Sequence, residues 1–253
     1  IEYTHKSCDL NDYKSVRNIL YKNEPDFIIN CSAYTKVDDA EHNKEAANAT
    51  NTLAVKNLAK ISSKLGSTLI HISTDYVFDG NNSQPYRESD PVCPIGVYGE
   101  TKRAGELAVI NSEIDAIVIR TSWLYSAFGN NFLKTMLRLG RDNESLNVIS
   151  DQIGTPTYAK NLAKTCLDIL LISDSERISK KGKIYHYSNK GVASWYDFAV
   201  AIFNEIGIDQ IVDPCDSAAY PTPAKRPKNS ILENETLKRA EINQFKDWRE
   251  ELK

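Results

Sequence analysis

Apolar positions fall into two alternating textures along the chain. Over residues 12–22 they are sparse and helically spaced, with Val16, Ile19 and Leu20 on one side of an otherwise polar segment. Residues 26–33 (DFIINCSA) form a compact apolar run without polar alternation, the texture of a strand buried on both faces. Residues 38–65, rich in Ala, Lys, Glu and Asn, favour helix throughout, and Gly66 supplies a left-handed cap. Strand texture returns at 68–73 (TLIHIS), then come a loop over 79–94, a helix over 97–111 and a strand over 116–120. Beyond these, the pattern predicts helices over 132–139, 156–172 and 195–206, and strands over 146–150 and 184–187. Residues 213–228 carry Pro214, Pro221, Pro223 and Pro227 and read as an irregular loop.

Unalternated strands joined by helices imply an α/β fold, a Rossmann-like doubly wound parallel sheet covered on both faces. The expected organisation is a dinucleotide-binding domain over 1–140, with part of 157–190 returning to it. A smaller C-terminal substrate-binding lobe is expected from 191–253 plus parts of 141–156. Ligands in such sheets sit beyond the C-terminal strand ends, which directs attention to residues 32–35, 73–79 and 121–125. The chain opens at Ile1 as though part-way through a domain. No glycine-rich phosphate turn is present among the 11 glycines, and the first strand, that turn and the first helix occupy roughly 30 residues of such a unit. A chain lacking them is expected to bind a dinucleotide poorly.

Composition removes several function classes. With 253 residues, 41% hydrophobic and 26% charged, the chain is an ordinary globular one. A net charge of -3, with Lys and Arg spread evenly, argues against nucleic-acid binding. The longest strongly apolar stretch, near Ile169, is far shorter than the roughly 20 residues a bilayer requires. Five scattered cysteines without a CxxC pair suit reduced thiols in a cytoplasmic protein. The four histidines lie apart, without metal-ligand spacing, and His71 reads as a satisfied core histidine.

The sharpest chemical feature is Tyr98-Gly99-Glu100-Thr101-Lys102 at a helix start, where Tyr98 and Lys102 share one face. A phenol with its pKa at about 10 works as an acid near neutrality when a neighbouring cation stabilises the phenolate. The same spacing is also common as a solvated surface pair. What changes the balance is the preceding strand, which ends in Ser73-Thr74-Asp75-Tyr76 and brings hydroxyls and a carboxylate toward that helix.

The series STDYVFDG (73–80), YGETK (98–102) and RTSW (120–123), with NCSAYTKVDDAE (30–41), DQIGTPTYAKNLA (151–163) and YPTPAKRPKNSIL (220–232), resembles the extended short-chain dehydrogenase/reductase family in its dTDP-4-dehydrorhamnose reductase branch. The likeness covers nearly the whole chain. It implies NAD(P)H-dependent reduction of the C4 ketone of a dTDP-4-keto-6-deoxy sugar. Tyr98 is then the acid, Lys102 lowers its pKa and holds the nicotinamide ribose, and Thr74 bonds near the same oxygen. Asp75 contacts the sugar and Trp123 lies along its ring, unless Trp123 is simply a core tryptophan. Ala33, Tyr34 and Thr35 lie along the cofactor, with Asp9 and Leu10 at its adenine end, where Asp9 can also serve as a helix N-cap. Arg226 either pairs with the diphosphate or is a solvated loop arginine. A strand end at Thr4-His5-Lys6, with a hydroxyl and two cations, favours NADPH over NADH, although Lys6 also reads as a plain surface lysine. Some members carry Mg2+ at a subunit contact, but no ligand set here locates one. A homodimer is compatible with the resemblance.

Two enzymatic alternatives and one non-enzymatic alternative remain. A 4,6-dehydratase needs an acidic pair after the threonine, whereas Asp75 is followed by Tyr76. A 4-epimerase uses the same Tyr and Lys but not these flanking motifs. A non-catalytic, dinucleotide-binding regulatory subunit has no need of Tyr98, Lys102, Thr74 and Asp75 together.

Overall fold

Local capping decides where the first helix begins. In the computed structural model, which describes residues 1–112, 114–172, 179–242 and 245–253, helix α1 (Tyr13–Asn23) starts at Asp12, whose carboxylate accepts the Lys14 and Ser15 N–H groups, each at 3.1 Å. Asp12 is thus the cap; Asp9 instead accepts the Asn11 N–H at 3.0 Å in the turn before it. The strand end expected at Thr4-His5-Lys6 is a turn, because Ser7 satisfies Thr4 locally, its N–H donating to the Thr4 carbonyl at 2.9 Å and its hydroxyl accepting the Thr4 N–H at 2.8 Å.

Strand β1 (Phe27–Asn30) follows. The helix expected without interruption over 38–65 is divided into α2 (Val37–His42), α3 (Lys44–Asn48), a π-helical turn (Ala49–Ala54) and α4 (Val55–Leu65). It ends at Gly66, left-handed as expected with φ 70°. Then come β2 (Thr68–Thr74), α5 (Val97–Ile110), β3 (Ala116–Thr121), β4 (Leu124–Tyr125), α6 (Phe132–Asp142), β5 (Ser145–Ile149), β6 (Ile153–Gly154) and β7 (Thr157–Tyr158). The chain continues through α7 (Ala159–Leu171), β8 (Lys181–His186), β9 (Ala193–Ser194), α8 (Trp195–Glu205), β10 (Ile211–Cys215), α9 (Glu235–Arg239) and α10 (Trp248–Leu252).

The central sheet is wholly parallel, in the order β1-β2-β3-β8. Its register sets Ile29 beside Ile70, Ile70 beside Ile117, and Ile119 beside Tyr185. One face packs Leu69, Ala116 and Val118 against Val16 of α1, Leu58 and Ile61 of α4 and Val109 of α5. The other packs Ile70, Ile117 and Ile119 against Leu162, Cys166 and Ile169 of α7 and against Leu237, Ile242 and Phe245. Both faces are therefore covered, which explains the unalternated apolar strands. A further cluster joins Met136 of α6, Val148 of β5, Phe198, Ile202 and Phe203 of α8, and Trp248. There β5 pairs in parallel with β10, and Pro214 sits in strand rather than in the expected loop. In this two-stranded ribbon β10 is an edge, where a missing backbone N–H is tolerated.

Among the described residues no helix is long and apolar enough to cross a membrane, and no group of three or more His, Cys, Asp and Glu side chains is placed to hold a metal.

Candidate active site

The end of β2 delivers the first functional cluster. Thr74, still extended at φ -139°, caps the short turn that follows, its Oγ1 accepting the Tyr76 N–H at 3.2 Å. The same hydroxyl donates to Asp75 Oδ1 at 3.0 Å. Asp75 is buried, and its Oδ2 completes no hydrogen bond. Burial pushes its carboxyl up to about 6, against the hydroxyls of Ser230 and Thr74, which favour the charged form.

Helix α5 is brought onto this strand end by two close approaches. A Cβ at Gly99 would lie 2.1 Å from the Tyr76 carbonyl oxygen, and one at Gly105 would lie 2.2 Å from that of Asn51. Only glycine permits either contact. The first turn is held from outside the helix, where Glu41 Oε1 accepts the Val97 N–H at 2.8 Å. Tyr98 consequently sits over Tyr76, edge to face, with ring centroids 5.5 Å apart. The Thr74 hydroxyl reaches the Tyr98 phenol, so the structure brings Tyr98, Thr74 and Asp75 together.

Lys102, one turn further along α5, is buried. Its Nζ donates to the Ile72 carbonyl at 2.6 Å and lies 3.4 Å from His71 Nε2. Behind it Glu106 accepts Ser73 Oγ at 2.7 Å, Arg103 at 2.8 Å and both donors of Arg120, at 2.8 and 2.9 Å. Burial opposes the Glu106 charge, but these bonds outweigh it and hold its carboxyl below the usual range. Burial lowers Lys102 to about 8, with Glu106 and Cys31 acting the other way.

One sequence expectation is corrected here. Tyr98 is not lowered: burial pushes its phenol up to about 12, Asp75 adds to the rise, and the Thr74 hydroxyl opposes it. The reason is burial, which disfavours the charged phenolate. Tyr76 is held up still more strongly by burial, which makes it unsuited to act as an elimination base in the dehydratase manner.

Beyond β1, residues 33–35 are pinned through a side chain that the sequence did not single out. Asn51, buried in the π-helical turn, accepts the Tyr34 N–H at 2.8 Å, donates to the Tyr34 carbonyl at 3.2 Å and donates to Thr101 Oγ1 at 3.1 Å. The Tyr34 hydroxyl bonds to Asp39. Ala33 and Tyr34 are half-buried and Thr35 is exposed. Asp9 and Leu10, also half-buried, precede α1, and Leu10 packs on the α1/α4 face of the sheet.

Arg226 is not a free loop arginine. It pairs with Asp38 of α2, Nη2 to Oδ2 at 2.6 Å, and tethers the Pro-rich segment to the segment following β1. Trp123 has a left-handed backbone, φ 48°, unusual for a large side chain. Its ring stacks on Trp195, the first residue of α8, with centroids 3.5 Å apart and planes 7° from parallel. Neither Asp38 nor Trp195 announced itself in the sequence, because each is defined by a distant partner.

A phenol kept protonated next to a hydroxyl and a buried carboxyl, with a buried lysine one turn away, can deliver a proton to an oxygen while charge develops on it. The sequence matches the family model described as RmlD substrate binding domain over residues 1–253. A dTDP-4-dehydrorhamnose reductase of Burkholderia thailandensis is 40% identical over 253 residues, covering 96% of this chain and 85% of the relative. The spore coat polysaccharide biosynthesis protein SpsK of Bacillus subtilis is 38% identical, covering 100% and 86%. Among solved structures, a dTDP-4-dehydrorhamnose reductase of Bacillus anthracis in complex with NADP has a TM-score of 0.92 and 36% identity, covering 99% of this chain and 86% of that one. The agreement extends over the whole chain and across its site-bearing elements, and the chain belongs to the RmlD substrate binding domain family.

Proposed function

We infer that this chain reduces the C4 ketone of dTDP-4-dehydrorhamnose (dTDP-4-dehydro-6-deoxy-L-mannose) to the alcohol of dTDP-L-rhamnose, with NADPH as the preferred cofactor. The observation that carries the reading is the meeting of Tyr98, Thr74 and Asp75 at the end of β2, in a chain about 40% identical to a reductase of that name.

Held along residues 33–35 and by Lys102, NADPH would supply the hydride for the ketone carbon. Tyr98 gives its phenolic proton to the ketone oxygen, leaving a phenolate, and Thr74 bonds to the same oxygen. A phenol pushed up to about 12 is fully protonated near neutrality, the form an acid requires. Lys102, on the same face of α5, offers the cation that steadies the phenolate and a donor for the nicotinamide ribose. Asp75, beside Thr74 at the end of β2, is assigned to the sugar contact. Trp123, backed by Trp195, provides an apolar wall for the deoxyhexose ring.

The residues present suit the nicotinamide half of the cofactor: the Tyr34 backbone is fixed by Asn51 beside the helix that carries Tyr98 and Lys102. Asp9 and Leu10 are assigned to the adenine end. The preference for a 2′-phosphate rests on the NADP held by the Bacillus anthracis relative. Arg226 is assigned to the diphosphate, exchanging the Asp38 carboxylate for a phosphate so that its charge stays compensated. The dinucleotide-binding domain is assigned to 1–140 with part of 157–190. The substrate lobe is assigned to 191–253 with parts of 141–156, and the packing of Val148 with Phe198, Ile202, Phe203 and Trp248 supports a core there. A cytoplasmic location and a homodimer complete the reading.

The test supplies dTDP-4-keto-6-deoxy-L-lyxo-hexose and follows NADPH and NADH absorbance. It uses the chain alone and the chain extended at its N-terminus by a strand, glycine-rich turn and helix of the dinucleotide-binding type. Substrate-dependent oxidation, faster with NADPH and reduced about 100-fold or more in Tyr98→Phe, is expected. Dinucleotide binding without oxidation of either cofactor would defeat the reading and favour a regulatory subunit.

A further inference from the structure

Lys102 has a neighbour whose orientation can be worked out from hydrogen bonds alone. Asn30, at the end of β1, accepts the Ser32 N–H on Oδ1 at 3.0 Å, which fixes which end of its amide is oxygen. Its Nδ2 therefore faces His71 Nδ1, 3.0 Å away. An amide N–H2 is only a donor, so Nδ1 must be the acceptor and the imidazole proton must be on Nε2. That Nε2–H points at the Lys102 nitrogen, 3.4 Å away, where two donors meet. His71 cannot escape by charging, because burial, reinforced by the Lys102 ammonium, holds it well below its ordinary value. Nor can it move, being fully buried in the middle of β2 with α5 packed over it through Gly105.

We propose that His71 is a positioning residue for Lys102: fixed by Asn30 as the Nε2–H tautomer, it denies the lysine an acceptor on that side and turns its donor to the Ile72 carbonyl. The inference rests on the assignment of Lys102 as the cation partner of Tyr98. Lys102 is faced from β2 by His71, from its own helix by Glu106 and from the loop after β1 by Cys31. Glu106 and Cys31 favour the charged lysine, while burial disfavours it and leaves the group at about 8. The imidazole N–H adds to the second side of this balance, because its positive end is directed at the ammonium. In consequence, the alkaline limb of kcat/KM reports a lysine tuned from the neighbouring strand, with the phenol still protonated.

The first measurement uses the unaltered protein and needs no turnover. In 15N-histidine NMR, His71 is expected to remain neutral from pH 6 to 9 with its proton on Nε2; a proton on Nδ1 overturns the proposal. The second uses Asn30→Asp, whose carboxylate can accept both the Ser32 N–H and an Nδ1–H. The His71 proton is expected to move to Nδ1, presenting a lone pair to Lys102. The Lys102 15Nζ titration and the alkaline limb of kcat/KM are both expected to rise by about one pH unit. Retention of the Nε2 proton in this variant, or a flipped tautomer with Lys102 unmoved, overturns the proposal. The new carboxylate alone is controlled by combining Asn30→Asp with His71→Leu, checked for folding by thermal melt. The rise is expected to shrink by more than half, and a rise of the same size contradicts a role for the imidazole. Failure of the reductase reading is distinguishable, since it abolishes turnover but leaves both NMR results intact.

Discussion

A carboxyl sealed from water with one oxygen unpartnered holds its proton more tightly than the same group in an unfolded chain, and Asp75 is in that position. Its folded value, about 6, exceeds the unfolded 3.8. The native state is therefore favoured by this group below 3.8, and that advantage is lost as pH rises through 6. Asp75→Asn keeps an acceptor for the Thr74 hydroxyl and removes the charge. The variant is expected to match the parent near pH 4 and to exceed it above pH 6 by up to about 3 kcal/mol, read from urea unfolding at the two pH values. Its kcat/KM is expected to fall at the same time, the pattern of a residue kept for function at some expense of stability. A variant no more stable than the parent at pH 8 would show that the buried charge is compensated.

Helix α5 illustrates which features the sequence made readable. Its limits, the Tyr98/Lys102 face and the strand end at Thr74-Asp75 were all visible, because helical spacing and unalternated apolar strands are local signals. Gly66 as a terminator was readable for the same reason. The break at Asn43 and the π-helical turn were not, since residues 38–65 uniformly favour helix and the interruption serves Asn51. That side chain reaches Tyr34 and Thr101, 17 and 50 positions away in sequence. His71 read as a core histidine, and it is one, yet its contact with Lys102 spans 31 positions and has no periodic signature. The buried cluster under α5 also escaped notice. Glu106 there compensates Arg120, whose side chain is 1% exposed. Glu106→Gln leaves that guanidinium uncompensated and is expected to lower stability by about 3 to 5 kcal/mol, measured by urea denaturation at pH 7. The carboxyl is held below its ordinary 4.5, so its contribution is present above 4.5 and lost on further acidification. The gap between parent and variant should accordingly narrow toward pH 3.

Across the molecule, the Pro-rich segment is bound to α2 by Arg226 and Asp38, 188 positions apart. The pair is partly solvated, at 23% and 39% exposure, and pairs of that kind contribute at most about 1 kcal/mol. Arg226→Ala is thus expected to unfold within about 1 kcal/mol of the parent while raising KM for the sugar nucleotide about tenfold or more, as loss of a diphosphate contact would. An unchanged KM would return Arg226 to a purely structural tie. The stacked indoles of Trp123 and Trp195 make a second connection, between the end of β3 and the start of α8. Two chromophores so close and so nearly parallel do not absorb independently: their excited states mix, and the chain carries an exciton-coupled dimer at its candidate sugar wall. A ligand that slides the rings apart or tilts them changes the circular dichroism of that dimer directly. On the proposed reading, sugar binding at this wall is expected to change the near-ultraviolet circular dichroism, readable without label, cofactor absorbance or turnover.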